Sequence, residues 1–167
     1  MAQDAQLAQG AEVLHKDGAW LDEGRFEDWL SLYTEDCEFW APTWRSEEVL
    51  TEDPQRELSH IYFASRGGLE DRVYRIRSGQ SPASTPLPRT AHVVGGILPI
   101  EPPRAESMRL RASWHCDVFF VRGNSARAFF GRSEYELVRR GGEWKIRRKK
   151  VVLMNDYIPT MLDFYCL

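Results

Sequence analysis

Residues 108–120 read MRLRASWHCDVFF, and this stretch decides the fold of the chain. Its apolar side chains occupy every second position: Met108, Leu110, Ala112, Trp114, Cys116, Val118 and Phe120. Alternation with a period of two predicts a β-strand with one buried face. Turn sequences at 122–125 and 141–142 separate this strand from two further strands, 126–139 and 143–154. The second half of the chain therefore predicts an antiparallel meander of three long strands.

The first third has apolar residues at helical spacing instead. One stripe consists of Ala11, Leu14, Gly18 and Leu21, and a second of Phe26, Trp29, Leu30 and Tyr33. These stripes predict two short helices joined at Gly24. A turn at 34–36 and a short strand at 37–41 follow. Residues 43–64 show no clean period, which predicts an irregular surface segment.

A third helix is predicted over 69–77, because its apolar residues recur every three or four positions and Gly79 stands where a C-terminal cap belongs. Residues 78–88 hold three prolines among serines and a threonine, and predict a surface loop. A strand is predicted over 89–98, where the pair Gly95-Gly96 favours a bulge.

Helices followed by long antiparallel strands indicate an α+β domain with its helices against one sheet face. Glycines at 95, 96 and 131 favour a strongly bent sheet, and a bent sheet closed by helices makes a cone with a pocket. We expect one cone domain over residues 1–154 and a C-terminal tail over 155–167.

The composition excludes several classes of protein. Of 167 residues, 43% are hydrophobic and 28% are charged, which argues against disorder and against a membrane protein. The net charge of −3 argues against nucleic acid as a partner. The polar start, 1–10, lacks the pattern of a signal peptide, so we expect a cytoplasmic protein.

Chemical motifs are scarce. Nucleotide-binding glycine motifs and the hydrolase nucleophile elbow are missing from the sequence. The potential metal ligands are widely separated: His15, His60, His92, His115, Cys37, Cys116 and Cys166. This spacing fits neither a zinc site nor a Rieske cluster, and we expect no bound metal.

Five segments together resemble one known family. They are LDEGRFEDWL (21–30), LEDRVYRIRSG (69–79), PRTAH (88–92), FGRSEY (130–135) and WKIRRKKVVL (144–153). The chain resembles the small (β) subunits of Rieske non-haem iron aromatic-ring-hydroxylating dioxygenases. That family shares the cone-shaped NTF2-like fold of nuclear transport factor 2 and scytalone dehydratase, with N-terminal helices on a strongly curved, mixed but mainly antiparallel sheet.

The closing run 155–166 resembles members of the family that act on benzoate-like or anthranilate-like aryl carboxylates. The resemblance implies a structural subunit with no catalytic, cofactor-binding or metal-binding residues. Its partner would be a large (α) subunit that holds a Rieske [2Fe-2S] cluster and a mononuclear Fe(II), usually in an α3β3 hexamer with a β trimer. The complex would add both atoms of O2 to an aromatic ring, giving a cis-dihydrodiol, with electrons from NADH through a reductase.

Two other functions stay open. Cone-fold lyases and isomerases use pocket histidines, carboxylates and tyrosines as general acids and bases, and the strands of this chain carry the candidates His92, His115, Asp117 and Tyr135. His115 and Asp117 share the less apolar face of their strand, which we expect to turn away from the core. A free-standing module that binds a small ligand is the third possibility.

The basic run Arg147-Arg148-Lys149-Lys150 breaks the alternation of the last strand. Either a bulge changes the parity of the strand, or some of these charges face acidic residues, for which Glu134 and Glu136 are the candidates. Arg148 and Lys150 are the candidates for an ionic contact with the large subunit, and a solvated strand end is the alternative.

The tail is apolar to its last residue, and chain ends are usually loose unless something covers them. We expect Tyr157 to Leu167 to pack at a subunit interface or, secondarily, to plug the chain's own cone. The tail residues assigned to that interface are Tyr157, Ile158, Met161, Leu162, Phe164, Tyr165 and Leu167.

Overall fold

The structure, a computed structural model, describes residues 1–158 and 162–167. In chain order, its helices and strands are α1 (Ala2–Asp22), α2 (Phe26–Ser31), β1 (Tyr33–Pro42), β2 (Ser59–Phe63), α3 (Arg66–Arg77), β3 (Arg89–Pro99), β4 (Ser107–Phe120), β5 (Ser125–Arg140) and β6 (Glu143–Leu153), with short 3-10 turns at Pro82–Ser84 and Phe164–Cys166. Within these residues, no helix has both the length and the apolar character needed to cross a membrane.

The six described strands form one sheet in the order β2-β1-β6-β5-β4-β3. Strands β3 to β6 pair antiparallel with their sequence neighbours, as the alternation and the two hairpin turns predict. Strand β1 joins the edge of this meander by pairing parallel to β6, and β2 pairs antiparallel to β1. The sheet is therefore mixed but mainly antiparallel, and the predicted α+β class is confirmed.

The core lies between one face of the sheet and the three helices. Burial alternates along β4, whose inward side chains Leu110, Cys116 and Val118 are at most 1% exposed. Helix α1 lies on β3 and β6, and α3 packs against β1 and β2. The hydrophobic face of the meander is thus covered by the N-terminal helices.

Two local predictions for the middle of the chain are confirmed. Helix α3 ends at Arg77, and Gly79 follows with a φ of 72°, a left-handed conformation that glycine adopts without steric cost. In β3, the register with β4 shifts between Gly95 and Leu98, which is the bulge expected at the glycine pair.

Three predictions for the first third are wrong. Helix α1 has 21 residues and is not short, because its Ala- and Gln-rich start favours a helix without an apolar stripe. Residues 34–36 belong to β1 and form no turn; Glu35 and Asp36 are exposed there, which hides the strand pattern. The segment 43–64 contains β2, an edge strand whose side chains are all half-buried and therefore show no alternation.

Strand β6 contains one extra residue. Ile146 and Arg148 pair with consecutive residues of β5, so Arg147 between them forms a bulge. Even-numbered side chains point inward up to Ile146, and odd-numbered ones do so from Lys149 onward. The bulge is therefore the correct explanation of the broken alternation, and it turns Lys149 into the core.

Strand β5 approaches β6 closely at Gly131, where a Cβ atom would lie 1.8 Å from the carbonyl oxygen of Val152. We expect Gly131→Ala to lower the free energy of unfolding by about 3 kcal/mol or more, because the backbone must move to relieve the clash. Urea denaturation followed by circular dichroism measures the change. Gly95→Ala is the matched control, since nothing lies within 4 Å of its Cβ position. Equal effects of both substitutions would contradict the close approach.

Candidate functional site

The core contains a buried ion pair between α1 and β6. The side chains of Asp17 and Lys149 are 2% and 3% exposed, and Lys149 Nζ lies 2.7 Å from Asp17 Oδ2. The bulge in β6 brings the lysine to the inner face, and Asp17 falls on the helix face that packs on the sheet. Buried charges are rarely found in proteins unless they are paired and hydrogen-bonded.

Both oxygens of the Asp17 carboxylate accept two bonds. Oδ1 accepts from Trp29 Nε1 at 2.8 Å and from the Tyr33 hydroxyl at 2.6 Å. Oδ2 accepts from the Tyr135 hydroxyl at 3.0 Å in addition to the Lys149 ammonium. The four donors come from α2, β1, β5 and β6, so one carboxylate joins α1 to most of the fold.

The protonation states follow from these contacts. Burial alone would raise the pKa of Asp17, but the charge of Lys149 and hydrogen bonds from Lys149, Tyr33 and Trp29 together lower it. Burial and the negative charge of Asp17 raise the pKa of Tyr33 and of Tyr135 well above the ordinary tyrosine value. The carboxylate therefore stays charged while both phenols stay protonated and donate to it.

The C-terminal residues close this cluster. Lys149 Nζ also donates to the backbone carbonyl oxygen of Leu167 at 3.1 Å. The Phe164 ring stacks on Trp29 with a centroid distance of 4.9 Å. Asp163 pairs with Arg72 of α3, and this ion pair fastens the C-terminal segment to the third helix.

The residues of the predicted tail differ in their burial. Phe164, Tyr165 and Leu167 are at most 5% exposed and pack in the chain's own core, a position that fits the plug alternative. The reason is that the inner face of the sheet leaves apolar surface that the last residues cover. The assignment of the tail to a subunit interface stays a prediction. Leu162 is half-buried, and Met161 lies outside the described residues.

Tyr157, in contrast, is 81% exposed, and Ile158 is half-buried. Arg148 and Lys150 lie on the outer face of the sheet, where both cations face the Trp40 ring. Arg148 pairs with Glu38, at 2.6 Å from Nε to Oε1. The assignment of these four side chains to a subunit interface stays a prediction.

Of the suggested acidic partners, Glu136 accepts from Arg147 Nη1 at 3.3 Å, and Glu134 lies opposite Lys150 in the register of the two strands. The two acidic residues of β5 thus face the basic run from the neighbouring strand.

The four candidate acid–base residues are not brought together. His115 and Asp117 contact each other at 3.1 Å on the outer face, with side chains 44% and 69% exposed. His92 and Tyr135 both face inward. In the strand register, however, His92 lies level with Phe129 of β5, which is six residues from Tyr135, or roughly 20 Å along a strand. Because two of the residues lie on the outer face and the other two are far apart on the inner face, the four cannot form a single active site.

His92 forms a second polar contact, with Asp22 at the C-terminal end of α1. Its Nδ1 lies 2.5 Å from Asp22 Oδ1, while its backbone N–H and the Thr90 hydroxyl also donate to the Asp22 carboxylate. Partial burial raises the pKa of Asp22, but the hydrogen bonds and charge of His92 and the bond from Thr90 outweigh it, and the net shift is downward. The contact fastens the end of α1 to β3.

The three cysteines are buried and free. Burial raises the pKa of Cys37 to about 11 and that of Cys166 to about 12, and it raises that of Cys116 as well. Thiols in this state are protonated at neutral pH and are poor nucleophiles. Across residues 1–158 and 162–167, no group of three or more His, Cys, Asp or Glu side chains is placed to hold a metal ion.

The sequence analysis missed Asp17 and Lys149. A signal for Asp17 is its spacing, three residues after Leu14 and four before Leu21, which puts a carboxylate on the apolar face of the helix. Lys149 could not be placed without the bulge, because one extra residue decides which face it occupies.

A cone of helices on a curved mixed sheet, with its interior filled, defines the structural class of this protein. One solved structure of that class, a proposed scytalone dehydratase from Novosphingobium aromaticivorans, has a TM-score of 0.70 and 16% identity, and the match covers 94% of this chain and 91% of that chain. This likeness concerns the fold alone and confirms the predicted cone.

Residues 16–160 match the family described as ring hydroxylating beta subunit, and the chain belongs to that family. It is 37% identical to the benzoate 1,2-dioxygenase subunit beta of Acinetobacter baylyi, over 95% of this chain and 92% of the relative. It is 35% identical to the anthranilate 1,2-dioxygenase small subunit of the same organism, over 93% of each. The crystal structure of the benzoate 1,2-dioxygenase beta subunit from Burkholderia mallei has a TM-score of 0.77 and 31% identity, and 96% of each chain is covered.

The chain is therefore a β subunit of an aromatic-ring dioxygenase, of the benzoate and anthranilate subgroup, as the sequence motifs predict.

Replacing Lys149 tests the buried pair. We expect Lys149→Met to lower the free energy of unfolding by about 3 to 5 kcal/mol, because it leaves the Asp17 carboxylate buried without a counter-charge. Lys150→Met is the matched control, since the neighbouring lysine lies on the outer face. Thermal and urea unfolding of both variants measure the difference. A loss no greater than that of the control would refute the role of the pair.

The lowered pKa of Asp17 predicts an acid-sensitive fold. A carboxyl group whose folded pKa is depressed contributes stability above its unfolded pKa, here 3.8, and loses that contribution as the pH falls toward the folded value. We expect the free energy of unfolding of the wild-type chain to drop through this range and that of Asp17→Asn to depend less on pH there. Parallel pH dependences for the two proteins would show that Asp17 does not titrate differently on folding.

Proposed function

We propose that this chain is the structural, non-catalytic subunit of a dioxygenase that dihydroxylates an aryl carboxylate in the catabolism of aromatic compounds. In this proposal it assembles with a large subunit as an α3β3 hexamer that contains a β trimer. The names of the benzoate and anthranilate relatives support the substrate class. The family supports the large partner.

The observation that carries the structural role is the filled interior of the cone. Asp17, Lys149 and the two phenols that face them are engaged with one another, and Phe164 and Leu167 occupy the space beside them. General acid–base catalysis needs a group within reach of a substrate proton, and these groups are covered by the chain's own residues. The interior thus supports the fold, and the outer surface is available for assembly.

The family also implies the distribution of the metal centres. The large subunit would hold the Rieske cluster and the mononuclear iron, which together would supply electron transfer from an NADH-dependent reductase and activation of O2. The described residues of this chain offer no cluster of ligands for either centre. Three free, buried cysteines favour a reducing compartment such as the cytoplasm.

The outer face of the sheet carries an apolar row that fits a subunit contact. Val93 of β3, His115 of β4 and Phe130 of β5 lie directly opposite one another in the strand register. Val93 is 66% exposed and Phe130 is 46% exposed, and the exposed Met154 follows β6 beside Phe130. Exposed apolar patches of this kind mark interaction sites.

Reconstitution tests the assignment of activity. The purified chain alone should not consume O2 or NADH with benzoate, and adding the cognate large subunit and reductase should produce a cis-dihydrodiol. The large subunit without this chain should assemble poorly and lose most of its activity. Turnover of an aromatic or hydroxylated substrate by this chain alone would overturn the proposal in favour of the lyase or isomerase alternative.

Substitutions on the outer face test the assembly surface. We expect Phe130→Asp to raise the protein concentration needed for half-maximal assembly at least tenfold, because it places a charge beside the exposed apolar side chains. Tyr74→Asp on α3 is the matched control, since Tyr74 is 65% exposed away from this face. Sedimentation of the reconstituted complex over a dilution series measures assembly, and circular dichroism confirms folding. A folded Phe130→Asp variant that assembles like the control would show that this row is not an interface.

A further inference from the structure

A cavity lies at the far end of the inner face, away from the Asp17 cluster. It has a volume of about 370 Å³ and is bounded by the loop 82–88, the hairpin turn between β4 and β5, and the side chain of Tyr165. Its apolar wall is formed largely by Pro82, Pro86 and Phe120. A concave, mostly apolar space of this size is typical of sites for small molecules.

Arg127 gives this cavity a charge. Along β5 the odd-numbered side chains from Phe129 to Leu137 are buried, and Arg127 is the next odd position toward the hairpin, so it belongs to the inner face. Its Nε is buried and has no hydrogen-bond partner among the described residues. A buried N–H of a guanidinium is costly unless an acceptor completes its hydrogen bond.

The charges around the cavity have one sign. Arg122, in the hairpin turn, also lines it, and its lining includes neither aspartate nor glutamate. Neither Arg122 nor Arg127 forms a salt bridge with a carboxylate in the described parts of the chain. The site therefore combines an apolar wall with an unmatched positive charge.

We propose that this cavity binds a small carboxylate that carries an apolar ring, with the carboxylate on the Arg127 guanidinium and the ring against the prolines and Phe120. The planar guanidinium matches a carboxylate through two parallel hydrogen bonds, and the apolar wall beside it favours an organic anion that carries a ring. The concave shape and the volume of about 370 Å³ favour a small molecule as the occupant. The proposal concerns the chain by itself and does not depend on the assembly proposed above.

Calorimetric titration of the full-length chain with sodium benzoate tests the site, with benzamide as the uncharged analogue. We expect saturable binding of one benzoate per chain and at least tenfold weaker binding of benzamide. Arg127→Gln should weaken benzoate binding about tenfold or more, because a charge-assisted bidentate contact is lost. Arg111→Gln, an exposed change on the outer face of β4, should leave the affinity unchanged.

A second variant protects the test if Arg127→Gln does not fold. Val121 lies in the hairpin turn at the cavity and is 38% exposed, so Val121→Asp should fold while its carboxylate repels the ligand. Amide chemical shifts of residues 120–125 should move on titration with benzoate in the wild-type chain.

Three results would overturn the proposal: no saturable benzoate binding, equal affinity for benzamide, or unchanged affinity in both Arg127→Gln and Val121→Asp. Failure to bind benzoate combined with weaker assembly of Arg127→Gln would instead assign the guanidinium to a carboxylate of a partner subunit.

Discussion

The fold depends on one buried ion pair, Asp17 with Lys149. A carboxylate and an ammonium this far from water are tolerated only when they are paired and supported by further hydrogen bonds. Asp17 meets that condition with two donors on each oxygen, and Lys149 adds the carbonyl oxygen of Leu167. The requirement fixes the relative positions of the first helix, three strands and the C-terminal residues at once.

This constraint explains how the chain's own side chains come to occupy the centre of the cone. The tail residues beside Lys149 cover apolar surface that would otherwise face water, and the stacked rings of Trp29 and Phe164 complete the packing. Residues that suggest catalysis when read along the chain, such as Tyr135, are instead donors to the central carboxylate. A filled interior makes the domain a rigid support, which suits a subunit that presents its outer sheet face to neighbours.

The molecule therefore separates its surfaces by chemistry. The inner face holds charge only where it is paired, except at the end of β5, where Arg127 lines a cavity without an acidic partner among the described residues. The outer face carries exposed apolar side chains such as Val93 and Phe130 among charged ones. The first arrangement favours a small anionic ligand, and the second favours a protein surface.

The sequence by itself determined the meander, the third helix, the fold class and the family, because alternation, turn residues and motif order are local signals that survive in the one-dimensional chain. It did not determine the position of Lys149, since the bulge at Arg147 reverses which side chains of β6 point inward. Only the tertiary structure decided that Asp17 is the centre of the core and that Phe164 to Leu167 fill the cone. The contacts of Asp17 with Tyr135 and Lys149 and of Trp29 with Phe164 join residues more than a hundred positions apart, and no local sequence pattern shows which of them will meet.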